Sequence, residues 1–382
     1  MHLLYQTMNS YQILILAFFL CLLSGCERDE PLPDRRTVLV YLGVDNNFRE
    51  EAAQKINQLK NNWDREFNGN LLVYADAGQK PVLIHIYYDK QRGAVADTIE
   101  TYSAKNSANP ATFTQTLNKA KSHCPAASYG LVVLSHGTGW LPSEMSYPAI
   151  APKSIILDTG ASGENNYMEL ADFAQAIPFK LDFIIFDACF MGSVEVCYEL
   201  KDKVDYIVAS PAEVLAPGFV YHSMMQHLFK PNADLTAVAR EFYEFYDNRN
   251  GLLRSATVSV VKTSELDALV PIFKKIASEA NSLPENLDNI QTFGYGSHKI
   301  YFDIGDYLQK ISPSKAEEIQ AAIDQCVLYK ACTPSYYTAS TGRLETIGAF
   351  SGLSVYIPQA AYTEANQAYG NLKWTNAATL IR

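Results

Sequence analysis

Leu131-Val132-Val133-Leu134 runs straight into Ser135-His136-Gly137-Thr138-Gly139-Trp140, and Leu181-Asp182-Phe183-Ile184-Ile185-Phe186 runs into Asp187-Ala188-Cys189-Phe190-Met191-Gly192. Apolar runs of this kind are what strands buried on both faces of a parallel sheet require. Open α/β sheets gather their chemistry beyond the carboxyl ends of the strands. His136 and Cys189 both stand there, 53 residues apart. If the two strands are neighbours, imidazole and thiol meet at their tips. A helix opening directly after Cys189 would turn the positive end of its dipole toward the sulfur and favour thiolate, and a neighbouring His does so further. The same His can protonate a departing amine. Gly137 permits close backbone approach, so the N–H groups of Gly137 and Cys189 are candidates for binding a developing oxyanion. A lone Cys or a lone His in such a place is usually structural. The two at corresponding strand ends constitute a nucleophilic acyl-transfer site.

The same alternation extends outward. Thr37–Leu42 reads as a buried strand, and Ala52, Ile56, Leu59 and Trp63 have helical spacing. Leu71–Ala75 and Val82–Tyr88 read as a hairpin. Pro110 suits the first turn of a helix carrying Phe113, Leu117 and Ala120. Leu141–Lys153, with its prolines, reads as an exposed loop, Tyr167–Ile177 as a short helix, and Val194, Cys197 and Leu200 as one helix face. Further on, Tyr206–Ala209 and Thr257–Val261 are strands, and Leu235–Tyr246 is a helix. A long amphipathic helix carries Leu266, Leu269, Phe273, Ile276 and Ala280. Ser314-Lys315-Ala316-Glu317 has the pattern of a capping box before Ile319, Ile323 and Val327. Leu353–Ile357 is the last expected strand. These elements predict an α/β fold: a doubly wound, mostly parallel sheet with helices on both faces, plus a mixed C-terminal region.

Composition narrows the partners. The 382 residues carry a formal net charge of −10, with 48% hydrophobic and 19% charged residues, an ordinary globular balance. An acidic chain without a basic run is a poor ligand for phosphates, so nucleic acid is excluded as a partner. The first 26 residues contain no Asp, Glu, Lys or Arg, and Ile13–Leu23 is an apolar run of 11, short for a membrane span of ~20 residues. Leu23-Ser24-Gly25-Cys26 follows, then Glu27-Arg28-Asp29-Glu30-Pro31. This resembles a bacterial lipoprotein signal peptide, although no positive charge precedes the apolar run. The resemblance implies a signal over 1–25, lipid on Cys26, a linker over 26–36 and a globular domain over 37–382. It also implies a membrane anchor at the bacterial envelope, with the acidic stretch hinting at outer-membrane surface export. Of the remaining cysteines, Cys124, Cys189, Cys197, Cys326 and Cys332, at least one stays unpaired by parity within the chain. Cys326 and Cys332 are either a bridge or two buried thiols. His85 and His123 read as packing or surface residues. His222, His227 and His298 lack metal-ligand spacing and no EF-hand loop is visible, so no metal and no cofactor are assigned.

Taken together, Ser135–Trp140 and Phe186–Gly192 resemble the clostripain-like cysteine peptidases of the caspase-fold clan. Weaker support comes from Ala209-Ser210-Pro211-Ala212-Glu213, Tyr301-Phe302-Asp303-Ile304-Gly305-Asp306 and Gly352-Leu353-Ser354-Val355-Tyr356-Ile357-Pro358. The resemblance implies a caspase-like sheet and an endopeptidase whose catalytic dyad is His136 and Cys189. It implies cleavage after Arg or Lys, with Asp187, two residues before the nucleophile, in the pocket for that side chain. Relatives commonly carry an acidic residue and a Gly-Trp pair in the next loop, whereas this chain reads Ala216-Pro217-Gly218-Phe219-Val220-Tyr221. A basic pocket then rests on Asp187 with Glu213. The alternative for Asp187 is a structural carboxylate accepting backbone N–H groups at the strand end. Several such enzymes mature by a cut between the His and Cys strands, and Lys153 is the only basic residue of Leu141–Ser154. The alternative to a peptidase is a noncatalytic lipoprotein that keeps the fold to bind peptides; the intact His136 and Cys189 favour the enzyme.

Overall fold

The computed structural model describes residues 35–43, 49–76, 80–103, 106–143, 145, 155–158, 165–279, 287–294 and 298–378. Arg36–Gly43 (β1) is buried at every position, because it lies mid-sheet with strands on both sides and helices on both faces. Its parallel neighbours are Gly69–Asp76 (β2) and Ser128–Leu134 (β5). Leu181–Asp187 (β8) pairs in parallel with β5, and Val204–Ala209 (β9) with β8. Antiparallel strands finish both edges. Val82–Asp89 (β3) and Gly93–Thr101 (β4) follow β2, while Thr257–Lys262 (β10) and Val327–Cys332 (β12) follow β9. Among the described residues the main sheet therefore has nine strands, ordered β12-β10-β9-β8-β5-β1-β2-β3-β4.

Helices cover the two faces. Arg49–Asn61, Tyr221–Leu228 and Leu235–Asp247 pack on Val38, Val40, Val132, Phe183 and Ile185. Pro110–His123, Leu170–Ala176, Val194–Leu200 and Leu269–Glu279 close the opposite face over Leu39, Tyr41, Leu131, Ile184 and Phe186. By its internal contacts Asp34–Arg382 forms one unit. Among the described residues no helix is long and apolar enough to cross a membrane.

Several elements depart from the sequence reading. β4 was not expected, since Ala96-Asp97-Thr98-Ile99-Glu100 is polar and half exposed at a sheet edge. Asn166–Met168 is a strand (β7) paired with Ile156–Asp158 (β6), so the helix placed over Tyr167–Ile177 begins only at Leu170. Leu266 belongs to a 3-10 turn, Thr263–Ala268, and the helix proper starts at Leu269. The capping box does not form: Pro313–Lys315 is a 3-10 turn, and the helix Ala316–Cys326 has no side-chain cap at Lys315. Val327 ends no helix but starts β12, where it joins the main sheet. Leu141 and Met145 are buried, so the start of the Leu141–Lys153 connection is packed rather than exposed.

The C-terminal region reaches back to the centre. Phe302–Asp303 (β11) pairs with Ser354–Val355 (β15), and Ser335–Thr338 (β13) with Arg343–Thr346 (β14). Ser354 N–H donates to the Gly192 carbonyl at 3.0 Å, and Tyr356 N–H donates to the Glu195 carboxylate at 2.7 Å. Glu195 is fully buried, and that burial pushes its carboxyl up to about 7 while the Tyr356 N–H pulls it down. The folded chain thus holds this proton more tightly than the unfolded one. The resulting stability is fully present below the ordinary carboxyl value of 4.5 and is lost as pH rises through about 7. Glu195→Gln keeps an acceptor for Tyr356 and removes the titration. Thermal melts should show the wild type losing on the order of 3 kcal/mol more than Glu195→Gln as pH rises from below 4.5 to above about 7. Equal pH slopes would exclude this role for Glu195.

Candidate active site

The β5–β8 register pairs Leu134 with Asp187. His136 and Cys189 each follow that pair by two residues, so they leave adjacent parallel strands at the same level. Within Tyr129–Leu141 every residue is buried except His136, and within Phe183–Leu200 every residue is buried except Cys189. Each strand end therefore presents one half-exposed side chain. Gly137 packs on the main chain of the nucleophile strand: a Cβ there would stand 2.6 Å from the Cys189 carbonyl oxygen. Only glycine lets the two strand ends approach this closely.

The expected helix-dipole effect on Cys189 is absent in its simple form. The helix Val194–Leu200 opens five residues later, capped by Ser193 Oγ, which accepts Val196 N–H. The donor on the sulfur comes from elsewhere: Val214 N–H points at Cys189 Sγ at 3.3 Å, with the Val214 carbonyl at 3.8 Å. One residue thus offers the sulfur both a donor, its N–H, and an acceptor for the S–H, its carbonyl. The segment from Asp187 to the helix is held in an unusual conformation. Phe190 has φ of +61°, the one non-glycine residue with positive φ among those described. Left-handed backbone costs on the order of 1–2 kcal/mol for a side-chain-bearing residue, so neighbouring contacts must hold it. Phe190 N–H donates to the Ala212 carbonyl and Gly192 N–H to the Ser210 carbonyl. The Phe190 ring stacks on Tyr301, centroids 4.8 Å apart, and the Tyr301 hydroxyl donates to the Thr138 carbonyl in the loop after His136.

Asp187 is buried and faces the Ala216–Tyr221 loop rather than solvent. Gly218, at φ of +63°, lies on its carboxylate, where a Cβ would stand 2.3 Å from Oδ2. Lys55 Nζ is 3.9 Å from Oδ2. Burial pushes the Asp187 carboxyl up, while Lys55, the Phe219 N–H and the Tyr221 hydroxyl pull it down. The Tyr221 hydroxyl and Oδ2 face each other without the geometry of a full hydrogen bond. Glu213 turns outward and accepts Ala339 N–H at 3.0–3.1 Å, next to the β13–β14 hairpin turn. Cys26 and Lys153 lie outside the described residues.

Val214 and Lys55 were not picked out from the sequence, and Tyr301 entered only as part of a supporting motif. Val214 acts through its backbone, which no motif encodes. Lys55 did leave a signal, since it stands on the same helix stripe as Ala52, Ile56 and Leu59. The other described thiols, Cys124, Cys197, Cys326 and Cys332, are all free, so no Cys326–Cys332 bridge forms. Burial pushes each of them up, Cys326 to about 12 and Cys332 to about 11, which keeps them protonated. Among the described residues no group of three or more His, Cys, Asp or Glu is arranged to hold a metal ion.

Residues 40–376 match the model of the clostripain family, a C11 peptidase family. The chain belongs to the clostripain family of cysteine peptidases. It is similar to an inactive zymogen C11 protease from Parabacteroides distasonis, with 32% identity, 91% of this chain and 99% of that one covered, and a TM-score of 0.79. A secreted C11 cysteine protease from Bacteroides thetaiotaomicron, solved with an irreversible peptide inhibitor, has 30% identity, 90% and 99% coverage, and a TM-score of 0.80. Clostripain of Hathewaya histolytica is 25% identical over 223 residues, 50% of this chain and 42% of that protein, so the chain spans less than half of that curated relative. These likenesses agree with the caspase-like, mostly parallel sheet. Gly137→Ala should force the two strand ends apart and lower peptide hydrolysis ~100-fold, since displacement of about 1 Å has that effect. Wild-type kcat/KM in that variant would show that the close approach is unnecessary.

Proposed function

We propose that this chain is an endopeptidase in which Cys189 is the nucleophile and His136 the proton carrier. The observation that carries the reading is the level exit of these two side chains from β5 and β8, each the one half-exposed residue of its strand end. Cys189 Sγ, as thiolate, attacks the peptide carbonyl, and its electrons pass to the oxygen. The N–H groups of Gly137 and Cys189 are the candidate donors to that oxygen. His136 then delivers a proton to the departing amine and later takes one from the water that hydrolyses the thioester. The inhibitor complex of the Bacteroides relative supports a peptide as the substrate class.

The finer parts of the reading rest on the family resemblance. Asp187, helped by Glu213, would receive an arginine or lysine side chain before the cut bond. A lipid on Cys26 would hold residues 37–382 at the bacterial envelope beyond a short linker, with residues 1–25 removed as signal. A cut at Lys153, in the connection between the two catalytic strands, would release the site for substrate. The noncatalytic alternative draws on the missing acidic residue in the Ala216–Tyr221 loop, and the intact His136 and Cys189 favour the enzyme over it.

Cys189→Ala and His136→Ala should each lower kcat/KM on a peptide series at least ~1,000-fold with folding intact, because members of such a unit do not act additively. Either variant turning over like wild type would remove the dyad. On gels, the wild type should appear as two fragments meeting near Lys153 and Cys189→Ala as one; a fully active uncut wild type would exclude activation by cleavage. In the cell, Cys26→Ser should leave the membrane fraction, since stable attachment needs several acyl chains at ~0.8 kcal/mol per buried CH₂. An unmodified Cys26 at the mature N-terminus, read by mass spectrometry, would refute the anchor.

A further inference from the structure

Lys55 is a buried cation that the proposed reaction does not use. Its side chain is 5% exposed, although it sits on the helix Arg49–Asn61 at the surface of the sheet. Taking an ammonium out of water costs several kcal/mol unless its environment replaces the lost hydration. The environment here is built for one cation. Nζ donates to the Pro217 and Phe219 carbonyls, lies 4.1 Å from the centre of the Tyr221 ring, and is 3.9 Å from Asp187 Oδ2. Carbonyl oxygens, an aromatic face and a carboxylate are the groups that would bind the side chain of an arginine or lysine in a substrate. Here a residue of the same chain already holds them. The loop that supplies the carbonyls is also the loop that supplies the Val214 N–H to Cys189 Sγ. Tyr246 ties it from below through the Leu215 and Gly218 carbonyls.

We infer that Lys55 is an internal substitute for the substrate's basic side chain, competing with it for Asp187 and so setting how strongly this enzyme prefers arginine or lysine. The inference rests on the reading of Asp187 as the acceptor of that side chain. With Lys55 in place the Asp187 carboxylate already faces one positive charge, and an incoming guanidinium gains little from a carboxylate already neutralised. Two cations at one carboxylate also repel each other. Lys55 has somewhere to go. A cavity of about 290 Å³ opens on its outer side, lined by Glu51, Gln54, Gln58, Pro217 and His222. The Glu51 carboxylate stands one helical turn before Lys55, and one of its oxygens is buried without a hydrogen bond. A substrate cation reaching Asp187 would drive the ammonium outward to Glu51. The preference for basic residues therefore becomes the difference between two cations for one acid, rather than the full attraction of a free carboxylate.

The test compares peptides identical except for arginine or citrulline before the cut bond, which have nearly the same shape and differ in charge. Full-length wild type should favour arginine by no more than ~10-fold in kcat/KM, and a preference above ~100-fold would overturn the inference without any variant. Lys55→Met removes the charge at nearly equal length, and Lys55→Gln keeps a donor for the Pro217 carbonyl should the first variant not fold. In the folded variant the arginine-to-citrulline ratio should rise at least tenfold, through KM rather than kcat. A residue that merely clamps the loop would lower kcat for both peptides and leave the ratio unchanged, and that result would overturn the role of Lys55. Asp187→Asn separates the two readings. If it abolishes the arginine preference while Lys55 variants leave it unmoved, Lys55 alone is wrong; if it changes nothing, Asp187 is not the acceptor.

Discussion

The pairing of β5 with β8 is the constraint on which the rest depends. A parallel ladder fixes side-chain level residue by residue, and a slip of one position would turn every side chain of one strand to the opposite face. With Leu134 beside Asp187, the apolar residues of both strands fill both cores, and the first side chains beyond that pair that are only half buried are His136 and Cys189. The burial of the strands thus sets where the reactive groups emerge. Nothing in either loop alone could hold an imidazole and a thiol at one level.

The Ser210–Tyr221 loop does the complementary work. Its carbonyls at Ser210 and Ala212 hold the left-handed turn at Phe190, its Val214 N–H meets the sulfur, and its Gly218 backbone covers Asp187. Charge underneath keeps it in place through Lys55, and so does the Tyr246 hydroxyl. Contact with the thiol and cover over Asp187 are therefore properties of one segment. A substitution at either end is felt at the other, because buried polar groups that share partners do not respond independently.

Strands buried on both faces were legible, since an apolar run such as Leu131–Leu134 admits few other readings. The edge strands were not. β4 has too little buried surface to show a pattern, and the start of β12 continues the apolar spacing of the helix before it. That His136 and Cys189 follow neighbouring apolar strands was legible, and so was the loop carrying Ala216–Tyr221. The donor to Cys189 was misplaced to a helix that starts five residues too late, because sequence reveals that a helix follows but not how long the turn before it is. Asp187 shows a different gap. Its type suggested both a substrate acceptor and a structural carboxylate, and only three-dimensional neighbours bring in Lys55. A lysine on an apolar stripe is a request for a buried partner, and here the partner lies 132 residues away in the chain.

The bond from Ser354 N–H to the Gly192 carbonyl gives the molecule an order in time. The ribosome releases Cys189 long before Ser354 and Tyr356, the residues that close the backbone behind it at Gly192 and Glu195. A growing chain therefore carries its thiol for 165 residues of synthesis without the strand that braces the turn around it. Truncation before residue 354 has the same effect. The turn around Cys189 is thus completed from the far side of the sequence, by residues made long after it.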